Sequence, residues 1–130
     1  MDDANSCWDR TVELFESGAF WEAHEVLEPY WLEADGLERE FAAGVILLCA
    51  ALHKARAMGN PRGGRRNYAK ALRHLALVPD TFHAVAVRTL EADVHRALVD
   101  PTERPRWPGS TPRVASDRER AAAPLAGGSS

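Results

Sequence analysis

The chain has 130 residues, of which 45% are apolar and 27% charged, with a formal net charge of −3. These are ordinary values for a single soluble domain large enough to bury a real core. They exclude a disulfide scaffold, since Cys7 and Cys49 are the only cysteines. They also exclude a helical membrane span, since the longest uncharged apolar run, Phe41 to Leu52, has twelve residues against a bilayer core of about 30 Å.

The acidic start, Met-Asp-Asp-Ala-Asn, lacks the basic-then-apolar order of a signal peptide, so the cytoplasm is the expected compartment. A first helix is predicted from about Asp3 to Ser17, with Trp8, Val12 and Phe15 on its apolar face and Gly18 closing it. A second runs from about Phe20 to Ala34. At 100° per residue, Phe20, Ala23, Leu27, Tyr30 and Trp31 share one stripe, His24 lies inside its edge, and Glu28 sits just beyond on the same side. Trp21, Tyr30 and Trp31 read as core aromatics. Pro29 removes an amide donor mid-helix, which predicts a kink.

The third helix spans about Leu37 to Met58 and is apolar nearly all round from Phe41 to Leu52, as a central element must be. Cys49 reads as a small buried hydrophobe, and Gly44 as the place of a close helix crossing. Gly59-Asn60-Pro61-Arg62-Gly63-Gly64 reads as a turn. A fourth helix follows from about Arg65 to Leu77. Residues 81–87 carry no convincing strand signal and read as an irregular connection, before a fifth helix from about Arg88 to Val99.

Residues 100–130 hold five of the eight prolines and end in Gly-Gly-Ser-Ser. That composition predicts a disordered tail and sets the bundle domain at 1–99. Trp107 is the tail's one bulky residue, either docked on the bundle or left unstructured. The fold expected is all-α: a single compact bundle of about five helices, up-and-down in the first four because the connections are short.

Charge is divided along the chain. Residues 1–40 hold twelve acids and two arginines, a balance of −10, and residues 41–79 hold seven bases and no acid, a balance of +7. An acidic helical pair packed beside a basic one, charges facing at the rims, accounts for this. A basic face for an anionic ligand or partner is the functional counterpart. Arg62, Arg65 and Arg66 beside the glycines could hold a phosphate or carboxylate, although the spacing is not that of a P-loop. Basic residues without interleaved exposed aromatics argue against nucleic acid.

The chemistry-bearing constellation is His24 with Glu28, four residues apart and so neighbours on one helix edge. Such a pair can fix the tautomer of a basic histidine, contribute to a metal site, or satisfy itself inside a core. A catalytic metal site needs a third protein ligand, for which His53 is the first candidate and Glu25 the next. No metal is assigned, no cofactor is named by any motif, and no serine or cysteine lies in a nucleophile motif.

Phe15-x-x-Gly18-x-Phe20-x-Glu22-Ala23-His24-Glu25-x-x-Glu28-x-x-Trp31 resembles the signature of the domain-of-unknown-function family numbered 309. The likeness continues through Arg39-x-Phe41-x-x-Gly44-x-Ile46, Gly59-Asn60, Gly63 and Val85-x-Val87-x-x-Leu90, spanning about residues 8–99. Gly64 stands where a small alanine is usual. The resemblance implies a compact helical bundle and a characteristic patch of His24, Glu25, Glu28 and Trp31 bordered by Arg39, His53 and Asn60. It implies no reaction, because the family has no agreed activity. The leading expectation is a binding module whose polar His/Glu/Trp pocket takes a small polar, cationic or anionic ligand. One alternative is a metal-assisted or general acid/base hydrolase using His24 and Glu28. Another is an interaction protein using the basic turn and fourth helix.

Overall fold

The computed structural model describes residues 4–114. It contains α1 (Ala4–Glu16), α2 (Phe20–Glu33), α3 (Gly36–Arg56), α4 (Pro61–Leu75), a hairpin of β1 (Thr81–Phe82) and β2 (Val85–Ala86), and α5 (Val87–Val99). The fold is the expected all-helical bundle. Each of the first four helices packs on the next, and α5 lies against α3 and α4. The apolar run makes α3 the central helix, with Phe41, Ala42, Val45, Leu48, Cys49 and Leu52 buried. Gly44 permits the α3–α4 crossing, since a Cβ there would come 2.4 Å from Leu75 Cδ2. Burial pushes the Cys49 thiol up to about 12, so it stays protonated at neutral pH and is no nucleophile. Arg88 closes the end of α4, its Nη2 donating to the carbonyls of Leu75 and Val78 at 2.8 and 2.9 Å. No helix among the described residues is long and apolar enough to cross a membrane.

Two boundaries differ from expectation for physical reasons. α4 begins at Pro61 rather than Arg65: Asn60 caps it, its Oδ1 accepting from the Gly63 amide at 2.9 Å, and proline occupies the first turn. Gly59 stays in the turn at φ 60°, but Gly63 and Gly64 are helical and pressed on α3, where a Cβ at Gly64 would lie 2.9 Å from the Ala51 carbonyl oxygen. Residues 81–87 form a minimal antiparallel hairpin with Thr81 opposite Ala86 and Phe82 opposite Val85. Its turn holds His83 and Ala84 at φ 54° and 59°. Two-residue hairpins favour this left-handed backbone, but the sequence signal for it is Asn-Gly, not His-Ala.

The largest departure is the segment after α5. Residues 100–114, expected to be part of a disordered tail, run back along the bundle; the rest of that tail, 115–130, lies outside the described residues. Trp107 is only 7% exposed. Its ring meets those of Trp8, Phe15 and Phe41 at centroid distances of 6.1, 5.7 and 6.4 Å. Its amide donates to Glu16 Oε2 at 2.8 Å and its indole N–H to the Ser110 carbonyl at 2.9 Å. Further along, the Ala86 amide bonds the Pro108 carbonyl, the Ser110 amide bonds the Ala84 carbonyl, and the Val114 amide bonds Asn5 Oδ1. One buried aromatic and several backbone bonds hold this strap. None of them produces the periodicity from which order is read in a sequence.

The expected pairing of acidic and basic halves is also corrected. Among the described residues, the one ion pair that joins residues 4–40 to residues 41–79 is His74 Nδ1 with Glu40 Oε1, at 2.7 Å. α3 packs on both α2 and α4 and separates their charged outer faces.

Replacing Trp107 with alanine should cost about 3–5 kcal/mol, as for other buried aromatics, read as a lower urea midpoint; an unchanged midpoint would show the strap to be undocked. Ala84→Gly should raise stability by about 1 kcal/mol by relieving the left-handed backbone. Gly109→Ala should lower it, because a Cβ there would lie 2.2 Å from the Ala84 carbonyl oxygen.

Candidate functional site

The site is built at the turn from α1 into α2. Gly18, at φ 85°, reverses the chain and Ala19 precedes α2 without any side-chain cap. Phe20, Ala23 and Leu27 then turn inward and are buried, which puts Trp21 on the outside. His24, three residues on, stacks on the Trp21 indole with centroids 4.6 Å apart and planes at 28°. His53, near the end of α3, approaches the same indole at 4.9 Å and 37°. Ring pairs of this kind contribute about 0.5–1.5 kcal/mol beyond area burial. Trp21 is thus fixed by two imidazoles while remaining 42% exposed. It is not the core aromatic expected from the sequence, although it lies off the apolar stripe of α2. His24 Nδ1 is buried without a hydrogen-bond partner among the described residues, so stacking rather than polar pairing sets that ring.

Beside the indole lies an open hollow of about 440 Å³, lined among others by Gly18, Trp21, Glu22, His53, Arg56 and Arg104. Arg56 is half structural: its Nη2 donates to the carbonyls of Ala97, at 3.0 Å, and Glu103, tying the end of α3 to the end of α5 and to the strap. Burial first, and then the charge of nearby Arg104, pull the Arg56 pKa below its ordinary value, while Asp100 opposes the shift.

The residues singled out in the sequence divide between places. His24 and His53 meet through Trp21. Trp31 and Arg39 pair at the other end of α2, the guanidinium carbon 4.6 Å from the ring centroid and Arg39 Nη1 donating to the Ala34 carbonyl at 3.4 Å. Ten residues of helix put these two ends about 15 Å apart, so one small ligand cannot touch both. Glu25 and Glu28 are exposed between them. Among the described residues no hydrogen bond or ion pair links His24 to Glu28, nor do any three His, Cys, Asp or Glu side chains group to hold a metal ion. Asn60 is the α4 cap, a structural role.

Imidazole–carboxylate pairs do form, in places the helix spacing could not show. Glu38 accepts from the Tyr30 hydroxyl at 3.0 Å and pairs with His83 Nε2 at 2.8 and 2.9 Å, joining α3 to α2 and to the hairpin turn. Glu40 pairs with His74 of α4. Both fasten elements distant in sequence. The basic residues Arg62, Arg65, Arg66, Lys70 and Arg73 lie along α4, away from the hollow. Trp21, Arg56 and Arg104 were missed as site residues. Trp21 sits 100° from Phe20 and could have been placed outside on that ground; Arg104 carried no signal.

The family model described as "Domain of unknown function (DUF309)" matches residues 8–67. A conserved hypothetical protein from Thermus thermophilus, known from a crystal structure, is 43% identical; the match covers 71% of this chain and 95% of that one, with a TM-score of 0.64. The chain belongs to the DUF309 family. No curated protein gives a significant match. The DUF309 match runs from α1 into α4, and so includes Trp21, His24, His53 and Arg56. Arg104 lies beyond it and reaches the hollow only because the strap is docked.

Removing one of these carboxylates should separate structural from exposed acids. Glu38→Gln should lose about 1–3 kcal/mol in urea unfolding, since a charged acceptor of two partners is replaced. Glu28→Gln should stay within about 0.5 kcal/mol of the parent. Equal effects would contradict this assignment.

Proposed function

We propose that this DUF309 protein is a binding module that seats a small ligand with a flat face against Trp21. One observation carries the reading: a large indole is held in place by His24 and His53, left 42% exposed, and set on the wall of a hollow of about 440 Å³. A rigid exposed aromatic loses little conformational freedom on binding, and that volume falls in the range of small-molecule sites, about 300–1,000 Å³. The ligand seat is therefore one turn nearer the start of α2 than the His24/Glu28 edge suggested. His24 acts from behind the indole. Glu25, Glu28, Trp31 and Arg39 lie outside this seat, and the hydrolytic alternative built on His24 and Glu28 has less support because that pair is not joined.

Planar ring fragments titrated into the protein should shift the Trp21 indole N–H resonance in NMR spectra and leave that of Trp31 in place. Trp21→Ala should abolish the binding while the protein stays folded, with a stability loss no larger than the two ring contacts it makes with His24 and His53, about 1–3 kcal/mol. Fragments that bind equally well to Trp21→Ala would defeat the proposal.

A further inference from the structure

Resting on that reading of Trp21, we infer that the ligand is an anion: a small planar molecule bearing a carboxylate or phosphate monoester, its ring on the indole and its charge between Arg56 and Arg104.

The charges around the hollow point this way. Arg104 comes from the strap and lies over the α1–α2 turn, its Nη2 3.8 Å from where a Gly18 side chain would begin. Among the described residues no hydrogen bond or ion pair holds its guanidinium. Arg56 gives Nη2 to two carbonyl oxygens, its Nε is buried without a partner, and no carboxylate among the described residues pairs with it directly. The docked strap thus holds two guanidinium groups close enough to repel, with Asp100 the acid whose field reaches Arg56. Placing an anion between them turns one repulsion into two attractions. Guanidinium groups are also suited to planar carboxylate and phosphate oxygens through paired N–H donors.

The backbone adds to the same sign. No side chain caps α2, so the first amides of that helix face the turn with their partial positive charge uncommitted. His53 lines the hollow on the α3 side. Glu22 opposes: it is the acid on the lining, exposed in the first turn of α2. The exposed Glu16 carboxylate lies beside Arg104 in the neighbouring hollow and keeps its charge while one of its oxygens accepts from the Trp107 amide. Two arginines and a helix start stand against Glu22 on the lining and Glu16 beside Arg104, and the indole beside them adds the requirement for a flat ring.

The full-length protein is titrated with phenyl phosphate, with benzoate, and with benzyl alcohol as the uncharged ring, followed by NMR at the Trp21 indole N–H and the arginine Nε–H signals and by calorimetry. Both anions should move the Trp21 and Arg104 signals, and benzyl alcohol should bind about tenfold more weakly, the worth of one charged hydrogen bond. Arg104→Gln should weaken both anions about tenfold while leaving benzyl alcohol binding and the melting temperature unchanged. The stronger of the two anions identifies the charged group. If benzyl alcohol binds as well as the anions and Arg104→Gln changes nothing, the anion inference is overturned while the Trp21 reading survives. If the anions move Arg104 and bind Trp21→Ala as well as the parent, the Trp21 platform fails instead. Anion shifts confined to Arg62 and Arg66 on α4, or no binding at all, overturn the inference.

Discussion

The aromatic cluster of Trp8, Phe15, Phe41 and Trp107 is the contact on which the rest depends. Trp8 is fully buried from α1 and Phe41 from α3, with ring centroids 5.3 Å apart. Trp107 closes on them from a segment that has no helix or strand to hold it. A tryptophan buries about 150–250 Å², and at about 25 cal/mol per Å² that amounts to several kcal/mol, a large share of the roughly 5–15 kcal/mol stability of a typical domain. The strap in turn positions Arg104 at the hollow and supplies the Glu103 carbonyl that holds Arg56. Core packing at one end of the chain thus determines the electrostatics of a surface site formed by the other.

The bundle was legible in the sequence because its information is periodic. The run from Phe41 to Leu52 identified the central helix, and the spacing of Phe20, Ala23 and Leu27 oriented α2. The start of α4 was not legible, since Gly63 and Gly64 have the composition of a turn; what they provide is room for the α3 backbone, a property of the neighbour and not of the local sequence. The hairpin escaped for a similar reason. His83 and Ala84 adopt a left-handed backbone that their own side chains disfavour, and the Glu38–His83 pair and the strap hold it. The strap escaped because one tryptophan and a few backbone hydrogen bonds leave no pattern.

The site was legible in part. The sequence marked the right helix, and it named His24 and His53, which do converge. It joined His24 to Glu28, because residues four apart are neighbours on a helix, yet the imidazole stacks on the indole three residues earlier and the carboxylate stays in solvent. Spacing shows which side chains can meet; the competing ring contact decides which do. Charge division was equally visible, while its meaning required the fold: α3 keeps the acidic and basic faces apart, and the docked strap brings two cations together at the hollow.

Amide hydrogen exchange at Trp107 tests the central claim most directly. The account predicts that the Trp107 backbone N–H, bonded to Glu16, and its indole N–H exchange as slowly as amides in the middle of α3, such as that of Leu48. Exchange of both at the rate of an unstructured peptide would contradict it and leave Arg104 without a fixed place at the hollow.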